Sequence, residues 1–198
     1  EARTTVLALE PGLVRLQVEA RFPSESEPRL RVSVYMGFPK ADKLEHVVQK
    51  ATELGAFEIV AFPCERSISR PDAKSLGKKL ERWQKIAASA AEQSGRGRIP
   101  QVLTLPSFDA AVARASQADW AALFYEKERD GSIAATLPPE LATAAILTGP
   151  EGGLTEAEVD KARQAGVKVC TLGKRILRCE TAPLCALSAL FYAAGELD

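Results

Sequence analysis

Hydrophobic and polar positions alternate at two places near the start of the chain. Val14, Leu16 and Val18 alternate with Arg15, Gln17 and Glu19, and Leu30, Val32, Val34 and Met36 alternate with Arg31, Ser33 and Tyr35. A period of two predicts a half-buried strand at each. Between them Phe22-Pro23-Ser24-Glu25-Ser26-Glu27-Pro28 has linker composition, so a boundary falls there, and the piece before it is too short to be a domain.

Helical periodicity follows. From Lys40 to Leu54 the apolar positions Leu44, Val47, Val48, Ala51 and Leu54 fall on one face, Asp42 and Glu45 predict a capping box, and Gly55 a stop. His46 lies outside that stripe. Phe57, Ile59, Val60 and Phe62 predict a buried strand, and the loop Pro63 to Pro71 carries Arg66 and Arg70. A long helix from about Ala73 to Ser94 has Leu76, Leu80, Trp83, Ala87 and Ala90 inward and Lys78, Arg82 and Lys85 along another face, with Gly95 ending it. Val102–Leu105, Trp120–Tyr125 and Ala144–Thr148 predict further strands, and Ser107 caps a short helix reaching Ala115. Thr155 and Glu158 predict a capping box for a helix ending at Gly166, and Val167–Leu172 a last strand. The final helix, Thr181 to Ala194, is apolar nearly all round and must be covered by core or by a second subunit. Strands alternating with helices indicate an α/β fold with a largely parallel sheet.

Composition narrows this only a little. The 198 residues are 46% hydrophobic and 26% charged, an ordinary globular balance. Lys plus Arg and Asp plus Glu each total 26, so any nucleic-acid surface must be a local patch. Cys64, Cys170, Cys179 and Cys185 show no CxxC spacing, and with only His46 beside them no metal site is expected. Reduced thiols in a cytoplasmic protein are the expectation. No apolar run has membrane-spanning length and no leader pattern precedes the first strand. The chain opens at Glu1 without a methionine, so a segment upstream is expected.

Three features carry candidate chemistry. The turn Thr148-Gly149-Pro150-Glu151-Gly152-Gly153 follows a strand and precedes a capped helix. It is either a tight βα turn or a ligand cradle. It lacks Gly-Lys-Ser/Thr and GxGxxG spacing, and Glu151 would repel a phosphate, so a neutral or cationic ligand such as an adenosine bearing a sulfonium suits it better. The second turn, Leu172-Gly173-Lys174-Arg175-Ile176-Leu177-Arg178, is a solvated loop or an anion-holding one. Parallel strands put both turns at one edge of the sheet, where open α/β sheets place ligands. The basic set Arg66, Arg70, Lys78, Arg82, Lys85, Arg96 and Arg98, interrupted only by Glu81, is either a wet helix face or a polyanion surface.

Seven segments in register resemble the RsmE family of small-subunit ribosomal RNA uridine methyltransferases, within the SPOUT superfamily. They are Lys40–Leu44, Gln49–Gly55, Glu65-Arg66-Ser67, Glu81-Arg82-Trp83, Ala91–Arg96, Gly149–Gly153 and Leu172–Ala182. The resemblance implies methylation of N3 of one uridine in small-subunit (16S) ribosomal RNA by S-adenosylmethionine, with the RNA in an assembled subunit. It implies a SPOUT domain over 28–198 with a C-terminal deep trefoil knot, preceded over 1–24 by a remnant of a PUA-like RNA-binding β-barrel, and a homodimer. It places Leu147, Thr148, Gly149, Glu151, Gly152, Leu172, Gly173, Ile176 and Leu177 in the cofactor pocket. Arg178 is the expected stabiliser of the uridine anion, Arg96 a candidate for the same role from the facing subunit, and Glu180 the nearest general base. Cys179 and Pro183 stand where the family is expected to carry threonine or valine and alanine. The alternatives are a noncatalytic RNA-binding module of the same fold, or a SPOUT enzyme acting on another RNA.

Overall fold

The computed structural model describes residues 1–69 and 71–197, as a two-stranded hairpin followed by a six-stranded sheet with helices on both faces. Arg70 lies outside the described residues.

In the hairpin, β1 (Ala2–Glu10) and β2 (Leu13–Arg21) pair antiparallel. Alternation at Val14, Leu16 and Val18 does mark a strand, but half-burial does not follow: these side chains are 53%, 50% and 46% exposed, because no layer packs on either face of the ribbon. β1, unforeseen, is its partner.

The main sheet comprises β3 (Arg31–Gly37), β4 (Glu58–Phe62), β5 (Gln101–Thr104), β6 (Trp120–Phe124), β7 (Thr143–Thr148) and β8 (Lys168–Cys170). All pairings are parallel, in the order β5-β4-β3-β7-β6-β8. A parallel sheet needs cover on both faces. The strand predicted at Leu30–Met36 is therefore buried on both sides, not half-buried. Val32, Val34 and Met36 enter one core cluster and Tyr35 the other, and the next strand splits likewise, with Ile59 and Ala61 opposite Val60 and Phe62.

One face is covered by α1 (Lys43–Glu53), α2 (Ala73–Gln93) and α6 (Thr181–Ala193), with the short α4 (Ile133–Thr136) against α6. The other is covered by α3 (Phe108–Ala115) and α5 (Glu156–Gln164). Each fully buried Leu, Ile, Val or Phe in these layers contributes about 1.5–3 kcal/mol. The terminal helix finds part of its expected cover in this core, through Ala186, Leu187, Leu190 and Phe191, while Cys185 and Tyr192 stay exposed.

The helix starts follow local chemistry, with one correction. Thr155 and Glu158 form the reciprocal box, and the Ser107 hydroxyl accepts the Ala110 N–H. Asp42 makes no side-chain cap, its backbone at φ −93° and ψ 13° being outside the extended conformation of the residues that do cap, and the Glu45 side chain goes to Arg82 of α2, with Oε2 and Nη2 2.6 Å apart.

Candidate active site

Parallel pairing brings the ends of β6, β7 and β8 to one edge, and the loops leaving them enclose a cavity of about 370 Å³. The walls are the first glycine turn, the second glycine turn with Cys179 and Ala182, and the end of β6 at Phe124–Glu126. Lys43 alone comes from the N-terminal half of the chain.

The first turn is shaped by close approach. Gly153 adopts a φ of +68°, and a Cβ there would lie 2.9 Å from Oε1 of Glu126; a Cβ on Gly152 would lie 2.9 Å from Cβ of Arg66. Arg66 in turn donates through Nη1 to the carbonyls of Gly152 and Leu154, at 3.2 and 3.4 Å. Glu151, expected to repel phosphate and to line the cofactor pocket, accepts the Lys40 N–H at 3.0 Å and pairs with Lys43 Nζ at 3.0 Å. In the second turn the Gly173 N–H bonds the Thr171 hydroxyl at 3.1 Å, and the Arg178 carbonyl accepts the first N–H groups of α6, from Thr181 and Ala182.

Of the expected pocket residues, Thr148, Gly149, Glu151, Gly152, Leu172, Gly173, Ile176 and Leu177 line the cavity. Leu147 is wholly buried in β7, behind the wall. Arg178 lines the cavity, exposed, and among the described residues its guanidinium has no hydrogen-bond partner. Glu180 stands behind the lining, where its carboxylate meets Lys43 at 3.4 Å and accepts the Cys179 thiol at 3.2 Å. Its pKa is lowered, first by its own backbone N–H and then by Cys179 and Lys43. Burial pushes the Cys179 thiol up to about 12, so it stays neutral.

Arg96 is held inside its own chain: its side chain is 3% exposed, salt-bridged to Glu27 and bonded to the carbonyls of Thr52 and Ala56. The other basic residues divide. Lys78 and Lys85 are exposed and make no ion pair among the described residues, Arg82 is neutralised by Glu45, and Arg98 stacks over Phe57 at 4.6 Å. Sequence reasoning missed Lys43, Tyr125 and Glu126 as lining residues. Lys43 lies in a segment already marked by resemblance, whereas Tyr125 and Glu126 follow a strand with no local signal.

The donor set suits a nucleoside carrying a cation. The cavity falls in the size range of small-molecule sites, about 300–1,000 Å³. Bare backbone of two turns and the carboxylates of Glu126 and Glu151 line it, and its lysine is occupied by two glutamates rather than free for a phosphate.

Residues 25–191 match the RNA methyltransferase domain family. The ribosomal RNA small subunit methyltransferase E of Bacillus subtilis is 44% identical over 169 residues, covering 82% of this chain; the chain spans 66% of that relative's length. The protein of the same name from Mycobacterium bovis is 32% identical over all of this chain and 76% of its own. Among solved structures, that of the Neisseria gonorrhoeae ribosomal RNA small subunit methyltransferase E, bound to S-adenosyl methionine, superposes with a TM-score of 0.84 at 32% identity. The superposition covers 96% of this chain and 78% of that one.

Proposed function

This chain belongs to the ribosomal RNA small subunit methyltransferase E family of RNA methyltransferases, and on that premise we propose that it transfers a methyl group from S-adenosylmethionine to N3 of a uridine in 16S ribosomal RNA. The observation that carries the reading is the convergence of both glycine turns on one cavity at the carboxyl edge of the sheet. Thr148, Gly149, Glu151, Gly152, Leu172, Gly173, Ile176 and Leu177 would hold the methyl donor, with Leu147 supporting the turn from behind.

The uridine N3–H is about as acidic as a phenol, near 10 on the pH scale, so its deprotonated form must be favoured before attack. Arg178, at the cavity wall, is placed to stabilise that anion. Glu180, held ionised, can accept the proton, directly or through water, though a base of low pKa supplies only part of a general-base factor of about 10² to 10⁴. When bound, the donor supplies a methyl on sulfonium sulfur; the S–C pair stays on sulfur as the N3 pair forms the new N–C bond, and the N3 proton leaves. The remaining acceleration comes from holding the nucleophile in line.

Lys78 and Lys85, without an ion pair among the described residues, are proposed with Arg82 of the same helix as the RNA surface, to which Arg66 and Arg98 are proposed to add from the two ends of β4, in an assembled subunit and in the cytoplasm. Residues 1–24 are proposed to belong to a PUA-like barrel, a reading supported by a ribbon exposed on both faces, and 28–198 to be the SPOUT domain. A trefoil knot in the last third is proposed from membership of the family alone. A homodimer through α6 is supported by Tyr192, 74% exposed on an apolar helix. Calorimetry with S-adenosylmethionine tests the donor site, and transfer of a tritiated methyl to ribosomal RNA tests the reaction; absence of heat removes the reading.

A further inference from the structure

Lys43 lies at the start of α1, yet its ammonium serves two carboxylates, Glu151 in the cavity wall and Glu180 just behind it. Nζ is 3.0 Å from Oε1 of Glu151 in the first turn and 3.4 Å from Oε2 of Glu180 where the second turn enters α6. The three side chains are 29%, 27% and 26% exposed, so the bridge sits part-exposed at the cavity rim.

Both carboxylates are ionised at neutral pH. Burial works against the Glu151 charge, but its own backbone N–H, Lys43 and the Lys40 N–H outweigh it, and the Glu180 pKa is lowered as described. Cys179, the remaining titratable neighbour, is a neutral thiol. One cation therefore faces two anions, and the bridge carries one uncompensated negative charge. Glu126 adds charge of the same sign at Gly153. Arg175 and Arg178 line the cavity too, on the second turn, and among the described residues neither pairs with the bridge carboxylates.

Resting on the methyl-donor reading above, we propose that the Lys43–Glu151–Glu180 bridge is a charge selector. Its single excess negative charge favours a ligand bearing a sulfonium over the neutral thioether that remains after transfer. Donor and product differ by that charge and one methyl, so a surplus anion at the wall holds the first and releases the second. Lys43 is a positioning and specificity residue in this scheme, setting the surplus at one rather than two.

Calorimetric dissociation constants for S-adenosylmethionine and S-adenosylhomocysteine, measured at low salt and pH 8, test it through their ratio, which cancels any damage common to both ligands. Glu180→Gln makes the bridge neutral and should lower the preference for the sulfonium by about 3–10-fold. Lys43→Met leaves two anions and should raise it by a similar factor. A ratio within twofold of wild type in either variant overturns the proposal. So does a folded variant that binds neither ligand, which would make the bridge a spacer rather than a selector. Wild-type protein that binds neither ligand would instead remove the methyl-donor reading.

Discussion

Arg96 and Glu27 are joined by a two-pronged ion pair: Nη2 lies 2.7 Å from Oε2 and Nε 3.2 Å from Oε1, while Nη1 reaches the carbonyls of Thr52 and Ala56 at 2.9 and 2.8 Å. One guanidinium thus ties the linker after the hairpin to the end of α1. Arg96→Ala would remove the guanidinium from the Ala56 carbonyl and leave the Thr52 carbonyl with the Gly55 N–H and Glu27 with the Arg98 N–H, and the expected loss is about 2–4 kcal/mol of unfolding free energy in a urea titration. Lysine at this position should recover little, lacking the planar fork. A midpoint unchanged by Arg96→Ala would contradict this placement.

The same pair gives stability an acid limb. Burial opposes the Glu27 charge, but Arg96, the Arg98 N–H and the Arg98 charge lower its pKa below 4.5. A carboxylate with a depressed folded-state pKa contributes stability above its unfolded value and loses it as pH falls through the folded one. Thermal midpoints should therefore decline below about pH 4.5. In Glu27→Gln that decline should be shallower, and equal slopes would argue against the pair as its source.

Arg178→Ala should abolish methyl transfer to ribosomal RNA while leaving donor affinity within a few-fold of wild type, because the side chain has no hydrogen-bond partner among the described residues. Turnover at the wild-type rate would sink its assigned role.

Replacing Lys78 and Lys85 together by glutamine removes two exposed charges from α2. RNA affinity should fall and the dependence of log affinity on log salt should become shallower by about 1–2. Donor binding should not change. An unaltered salt slope would place the RNA elsewhere.

Gly131→Ala would drive a Cβ against the Val169 carbonyl oxygen, a rigid backbone atom. Overpacking of this kind costs about 1–3 kcal/mol or more. The thermal midpoint should drop by several degrees, with donor affinity weakened since the second turn leaves β8 beside this contact. A variant as stable as wild type would mean that the contact is slack.

Much of the fold was legible because most of its elements obey local rules: Thr155 with Glu158, Ser107, and the glycines that end α1, α2 and α5 each act within a few residues. What could not be read was set by partners distant in sequence. Val14, Leu16 and Val18 have the right period but no layer to pack on. Glu45 has the right spacing for a cap, yet an arginine of α2 claims it. Arg96 reads as a surface cation until Glu27 and two carbonyls are found around it. In the site, the turns announced themselves through glycine, whereas Lys43 was hidden in plain helix sequence, its role fixed by carboxylates more than a hundred residues away.

The position of β3 in the middle of the sheet has a thermodynamic consequence. It joins β4 to β7, and the loop after it docks Lys40 on Glu151, 111 residues later. A C-terminal piece could build both turns and still lack the cation that bridges them. The cavity is therefore completed only when the whole sheet closes, and occupancy is linked to global folding rather than to local ordering of a loop. A ligand held at one hundred times its dissociation constant would stabilise the native state by about 2.7 kcal/mol. That gain should appear in hydrogen exchange at β4 and β5, far from the bound molecule, as strongly as at the turns that touch it.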